Sequence, residues 1–304
     1  MGKVAFVFSG QGAQYPGMGE SLCKGSPAAQ QVFDLADRAR PGTSAQCFTG
    51  TAEELAITQN TQPCVYCVDL AAARALQEAG IEPDYAAGFS LGEIAALTFT
   101  GVFTPEDGFA FVCKRAEAMQ QAAQENPGAM AAVLKLPNEK VEELCGAFTK
   151  VWPVNYNCPG QLVVAGDPAQ LDAFCENAAA AGGRAKKLAV GGGFHTPFMA
   201  SAGEKLKADL AQRKLHGPCV PVYANATAEA YGGDIAALLV RQVQSPVRWQ
   251  ATVEALIDSG VDTFFECGPG KTLCGLIKKI SKDVQAYPVQ DAESLQAALA
   301  AYRA

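Results

Sequence analysis

The sequence predicts an α/β protein: a mainly parallel sheet covered on both faces by helices, with a small ferredoxin-like α+β unit inserted into it. Three observations carry this. Strand-like apolar runs alternate with helix-forming segments along most of the chain. One stretch instead runs in the order β-α-β-β-α-β over 126–190. A Gly-x-Ser-x-Gly turn also joins a short strand directly to a helix at Gly88–Gly92. The expected organisation is a large domain from 1–125 and 191–304, with 126–190 as the inserted subdomain.

The elements follow in order. Val4-Ala5-Phe6-Val7-Phe8 is a continuous apolar run, as a buried parallel strand requires, and it ends in the Gly-rich turn Ser9-Gly10-Gln11-Gly12-Ala13-Gln14. That turn has neither G-x-G-x-x-G nor G-K-[ST], so it is no dinucleotide or phosphate cradle, although its backbone N–H groups can still serve a site. Helices are expected over 27–40, 53–57 and 61–79. Tyr85-Ala86-Ala87 reads as a strand, residues 91–97 as the helix after the Ser90 turn, and 105–124 as another helix. In the insertion, strands are expected at 129–136, 151–155, 161–165 and 185–190, with helices at 138–148, capped by Asn138, and at 168–181. The remainder reads as a helix at 197–214, a strand at 220–223, helices at 235–243 and 249–258, a strand at 263–266, a helix at 272–282 and a last helix from Ala292.

Composition limits function. Of the 304 residues 49% are hydrophobic and 18% charged, which is the profile of a packed globule. A formal charge of −7 argues against a nucleic-acid binder. No apolar stretch is long enough to span a bilayer, and the N-terminus enters a strand without the basic and apolar regions of a secretory signal. The expected location is cytoplasmic. The 11 cysteines follow no disulfide spacing and read as reduced, mostly buried thiols. Cys64-x-x-Cys67 lies in a helix-like segment without a neighbouring His or second pair, so no metal is expected.

The candidate chemistry begins at Gly88-Phe89-Ser90-Leu91-Gly92-Glu93. Two glycines allow strand and helix to approach and leave Ser90 at the tip of a nucleophile elbow; the plainer alternative is a turn whose Ser caps the helix. Of the two histidines, His195 follows Gly191-Gly192-Gly193, where unusual backbone angles or close approach are expected, although a core imidazole is the alternative. His216 reads as a cation at a helix C-terminus. Ser90 and His195 together are the parts of an acyl-transfer site, with the N–H of Leu91 and one from the first Gly-rich turn as oxyanion donors. Arg115 shares one helix face with Val112 and Met119, opposite Lys114, Glu117 and Gln121. A guanidinium on an apolar stripe needs an anion, either an internal carboxylate or the carboxylate of a substrate.

In Ser9–Gln14, Gly88–Glu93, the Arg115 helix, Asn155-Tyr156-Asn157-Cys158-Pro159-Gly160-Gln161, Phe194-His195, Arg241-Gln242 before Pro246-Val247, and Glu266-Cys267-Gly268-Pro269-Gly270, the sequence resembles the malonyl-CoA:acyl-carrier-protein transacylase family over nearly its whole length. The resemblance implies an α/β-hydrolase-like large domain with a ferredoxin-like insertion. It implies malonylation of Ser90, His195 as general base, an oxyanion hole from the N–H groups of Gln11 and Leu91, and Arg115 on the malonyl carboxylate. Gln242 would orient the imidazole through its backbone carbonyl, and Gln161 and Asn157 would also touch substrate. Phe89 departs from the His often found before the nucleophile, which is expected to change packing rather than chemistry. Malonyl-CoA and acyl carrier protein are the implied substrates, with no cofactor, and the chain is expected to act as a monomer. A polyketide acyltransferase, or a serine thioesterase or hydrolase on the same elbow, is the alternative. Lys186-Lys187 and Lys278-Lys279-Lys282 are candidate docking cations for an acidic carrier protein.

Overall fold

The computed structural model describes residues 2–304. β1 (Lys3–Phe8) is buried from Val4 onward, as its unbroken apolar run demands. Four helices follow: α1 (Glu20–Gly25), α2 (Pro27–Ala39), α3 (Thr43–Thr49) and α4 (Ala52–Ala56). Ser26 caps α2 by accepting from the Ala29 N–H with Pro27 in the first turn, and a Thr51–Glu54 capping box starts α4. α5 (Thr58–Glu78) is buried over most of its length. β2 (Tyr85–Gly88) then leads through the elbow into α6 (Gly92–Phe99), a helix with every residue buried, and on to α7 (Pro105–Glu125).

The next six elements are β3 (Ala129–Leu134), α8 (Asn138–Cys145), β4 (Val151–Cys158), β5 (Gln161–Gly166), α9 (Pro168–Ala180) and β6 (Arg184–Lys187). Their strands form an antiparallel sheet in the order β4-β5-β3-β6. Its own core contains Leu162, Val164, Leu171 and Phe174. After a short 3₁₀ turn at Pro197–Met199 come α10 (Ala200–Leu210), β7 (Val222–Tyr223), α11 (Ile235–Gln242), α12 (Trp249–Asp258), β8 (Val261–Cys267), α13 (Thr272–Ile280), β9 (Gln285–Val289) and α14 (Ala292–Arg303).

The main sheet has the order β7-β2-β1-β8-β9, and every pairing in it is parallel. One face packs Phe6 and Phe8 against Phe99 and Phe265, and the other packs Val7 and Phe264 against Trp249 and Leu273. The α/β class with a separate antiparallel α+β sheet therefore stands as read from sequence. From central β1 the chain runs outward through β2 to β7, then crosses to the other side of β1 for β8 and β9, so a crevice opens at the carboxyl ends of β1, β2 and β8. The two sheets are joined there by backbone: Tyr156 donates to Val247 O at 2.9 Å and Val247 donates to Val154 O at 2.8 Å.

Several local expectations are corrected. Asn138 lies inside the first turn of α8 behind Pro137 and makes no cap hydrogen bond. The strand expected at 185–190 ends at Lys187. The single helix expected over 197–214 is a 3₁₀ turn followed by α10, which ends at Leu210. His216 is therefore an exposed loop residue beyond the helix, its N–H bound to Val102 O at 3.0 Å, and not a C-terminal cation. α1, α3 and β9 were not expected. β9 contains Pro288, which demotes a strand reading, and it occupies the sheet edge where proline is tolerated.

Candidate active site

The elbow is shaped by backbone crowding. A Cβ on Gly88 would stand 2.0 Å from the carbonyl carbon of Gly92, and one on Gly92 would stand 2.3 Å from Phe8 O, so neither position admits a side chain. Between them Ser90 takes φ 55°, in the left-handed region that a serine seldom adopts. Asn225, just past β7, braces this conformation: its Oδ1 accepts the Ser90 N–H at 2.7 Å and its Nδ2 donates to Gly88 O at 2.6 Å.

Ser90 and His195 are 105 residues apart in the chain, yet Ser90 Oγ lies 2.8 Å from His195 Nε2. The other ring nitrogen, Nδ1, lies 3.0 Å from Gln242 O and 3.2 Å from Ser245 O. Carbonyls only accept, so Nδ1 carries the proton and Nε2 is left with its lone pair toward the hydroxyl. Burial, aided by the Arg115 charge, pushes the imidazole down to about 4 against the pull of the two carbonyls. The ring is thus neutral near pH 7 and competent as a base. The unusual backbone angle belongs to His195 itself, at φ 61°, and not to the three glycines before it. Gly192 serves close approach instead, since a Cβ there would meet Ala123 Cβ at 2.6 Å.

Arg115 is buried on α7, on the same face as Val112 and Met119, while Lys114, Glu117 and Gln121 are exposed. Its Nη1 donates to Gln62 Oε1 at 2.7 Å; its Nη2 donates to Ser90 Oγ at 3.1 Å and to Gln242 Oε1 at 2.9 Å. Among the described residues it forms no salt bridge, which answers the question left open by its position on an apolar stripe. Burial lowers it to about 10 while Glu93 opposes the shift, so it remains a cation at neutral pH.

Gln11, Leu91, Ser90, His195 and Arg115 all line one cavity of about 90 Å³. The backbone N–H groups of Gln11 and Leu91 donate to no group among the described residues. A second cavity, about 230 Å³, adjoins it through the shared Gln11, Phe89 and Asn155 and reaches Asn157 and Gln161. Asn155 and Asn157 each leave a buried Oδ1 without a partner. Gln161 accepts from Lys279 Nζ at 3.1 Å. Phe89 packs its ring 5.6 Å from that of Trp249. Among the described residues no three His, Cys, Asp or Glu side chains gather into a metal-holding group, and Cys64 and Cys67 are free thiols inside α5. A larger cavity, about 400 Å³, opens elsewhere, between α2, α5 and α7, and holds neither Ser90 nor His195.

Sequence reasoning did not single out Asn225, Gln62, Tyr231 or the carboxylate of Glu93. Glu93 alone left a signal, because it is the only charge on the otherwise apolar helix Gly92–Phe99 and must find partners. A lone Asn or Tyr in a loop carries no periodicity by which to find it.

Comparison with known proteins agrees with this geometry. Residues 5–298 match the model of the acyl transferase domain family. The malonyl CoA-acyl carrier protein transacylase of Bacillus subtilis (strain 168) is 39% identical over 307 residues, covering 98% of this chain and 97% of that protein. The crystal structure of malonyl CoA-acyl carrier protein transacylase from Clostridium perfringens superposes with a TM-score of 0.95 at 37% identity, covering 99% of this chain and 97% of that one. A malonyl-transacylase solved in complex with a type II PKS acyl-carrier protein superposes with a TM-score of 0.94 at 36% identity, covering 98% and 99%. With a serine–imidazole contact at an elbow, a buried guanidinium beside it and full-length likeness to these proteins, the chain belongs to the acyl transferase domain family, among the malonyl CoA-acyl carrier protein transacylases.

Proposed function

We propose that the chain transfers a malonyl group from malonyl-CoA to the phosphopantetheine thiol of acyl carrier protein by a ping-pong route through Ser90. His195 Nε2 takes the hydroxyl proton as Ser90 Oγ attacks the thioester carbonyl. The oxyanion that forms receives the N–H groups of Gln11 and Leu91. Collapse expels the CoA thiolate, which His195 protonates. The carrier thiol then gives its proton to His195, attacks the malonyl-serine ester, and the reverse sequence restores Ser90. In this reading Gln242 holds the imidazole through its carbonyl, and a serine–histidine dyad suffices without an Asp. Arg115 grips the malonyl carboxylate bidentately, which selects a diacid and fixes the acyl group away from water. The unpartnered amide oxygens of Asn155 and Asn157, with Gln161, suit the amide N–H groups of a pantetheine arm passing through the larger cavity.

The observation that carries this reading is the 2.8 Å contact of Ser90 Oγ with His195 Nε2, with Arg115 Nη2 only 3.1 Å from the same oxygen. Intact-mass measurement after mixing with malonyl-CoA tests it: the protein gains one malonyl group and Ser90→Ala gains none. A Ser90→Ala variant that still carries malonyl to acyl carrier protein would refute the assignment. Rapid release of malonate without an acceptor would instead mark a hydrolase.

The proposed organisation is a catalytic domain of 1–125 and 191–304 with 126–190 inserted, working as a cytoplasmic monomer without a cofactor. No helix of the described residues is long and apolar enough to cross a membrane. The product is assigned to fatty-acid synthesis. A polyketide role is the second reading, favoured by the likeness to the transacylase solved with a type II PKS acyl-carrier protein. Transfer rates to fatty-acid and polyketide carrier proteins side by side distinguish the two.

A further inference from the structure

Glu93 lies three residues after the nucleophile, fully buried in the first turn of α6. Its carboxylate accepts from three donors: the Asn225 N–H at 3.0 Å, Gln242 Nε2 at 3.0 Å and the Tyr231 hydroxyl. Two of these donors lead back to the site. Asn225 braces the Ser90 and Gly88 backbone. Gln242 is the crossing point: Nε2 donates to Ser90 O at 2.8 Å as well as to Glu93, Oε1 accepts from Arg115, and the main-chain carbonyl faces His195.

An ionised carboxylate only accepts and a guanidinium only donates. Glu93 on one side of the Gln242 amide therefore requires its NH₂ there, and that turns Oε1 to Arg115. Ser90 O favours the same orientation, and Glu93 is the acceptor that adds negative charge on that side. Among the described residues Arg115 has no salt bridge of its own, so Glu93 supplies the balancing negative charge through one amide rather than by direct contact. With residue 93 protonated or neutral, Ser90 O and Arg115 still hold the amide, but the charge-assisted end of the Glu93–Gln242–Arg115 chain is lost and the guanidinium is held less tightly.

We propose that Glu93 is a positioning residue that, with Ser90 O, holds the Gln242 amide with its oxygen toward Arg115 and so keeps Arg115 oriented for an acyl group bearing a carboxylate. The inference rests on the malonyl-transfer reading and adds a determinant of its acyl selectivity. The titratable groups facing Glu93 are Tyr231, from the loop after β7, and Arg115, from α7, with His195 beyond Gln242. Burial raises Glu93 to about 6 against its hydrogen bonds and the Arg115 charge, so the network is built to lose its negative member in mild acid.

The test compares kcat/KM for malonyl-CoA and acetyl-CoA across pH in the wild type, Glu93→Gln and Tyr231→Phe. Acetyl-CoA offers Arg115 no carboxylate. In the wild type, malonyl transfer falls as pH drops through about 6, whereas acetyl transfer persists toward the lower value of His195. At neutral pH Glu93→Gln lowers malonyl transfer about tenfold or more relative to acetyl transfer, the scale of one charged hydrogen bond, and the fall near pH 6 disappears. Tyr231→Phe removes one donor and moves that fall to higher pH, which decides the matter even if the Gln variant does not fold. Equal losses for both acyl groups, or a malonyl profile unchanged in Tyr231→Phe, would overturn the inference. Failure of the wild type to gain a malonyl group would overturn the underlying reading instead, so the two failures are distinguishable.

Discussion

Arg115 illustrates what one residue can and cannot tell before its neighbours are known. Helical spacing put it on an apolar face, and that alone left an internal carboxylate and a substrate carboxylate equally open. The fold gives it two amide oxygens and a serine hydroxyl, with no carboxylate in contact. Neutral acceptors hold the guanidinium, and Glu93 balances its charge only through the Gln242 amide, so a direct carboxylate partner is left for a ligand to supply. Arg115→Ala should cut malonyl transfer by about 100-fold or more while acetyl transfer changes little, since a buried bidentate pair is worth a few kcal/mol. Steady-state rates with both donors check this, and equal losses would make Arg115 structural. Ser90 and His195 were legible because glycines flank both and mark special backbone. Asn225 and Tyr231 were not, since their importance lies in partners 132 or more positions away.

The elements were legible where one physical signal dominated. α5 and α7 show long apolar faces, and β1 and β8 are short runs of buried residues, so all were placed within a few residues. β9 was lost because Pro288 and half-buried side chains disguise an edge strand, and α1 because six residues offer too little periodicity. The elbow is the element on which function depends most directly. Gly92→Ala would place a methyl group 2.3 Å from Phe8 O and 2.5 Å from Ser9 O, both backbone atoms that cannot rotate away. Overpacking of this kind costs about 1–3 kcal/mol. A melting temperature lower by about 2–4 °C per kcal/mol is expected, together with loss of acylation. An active variant with unchanged Tm would show that strand and helix can separate here without consequence.

For the whole molecule, the sequence conveyed two units but not how they meet. The junction combines a pair of backbone hydrogen bonds between β4 and the segment before α12 with packing of Met130, Val154 and Val163 into the main core, and no sequence periodicity encodes the backbone pair. The meeting of the units forms the larger cavity, with Lys279 at Gln161 on its rim. Of the candidate docking lysines, Lys187 is paired with Asp172 and Lys278 is held by Val284 O, whereas Lys279 is exposed and contacts only an amide. On a chain of net charge −7, it is the candidate cation that stands at the rim of this cavity, where the proposed carrier arm would enter. Lys279→Glu should raise KM for acyl carrier protein severalfold at low salt and leave KM for malonyl-CoA unchanged. If neither constant moves, docking lies elsewhere.

Both side chains of the proposed dyad hang from residues at positive φ, 55° for Ser90 and 61° for His195. Each such conformation costs about 1–3 kcal/mol, a sizeable share of the roughly 5–15 kcal/mol by which a domain stays folded. Turnover and robustness are therefore opposed at these two positions. Selection for heat tolerance alone would favour replacements at 90 and 195 that relax the chain, and it would yield sturdier proteins that no longer react.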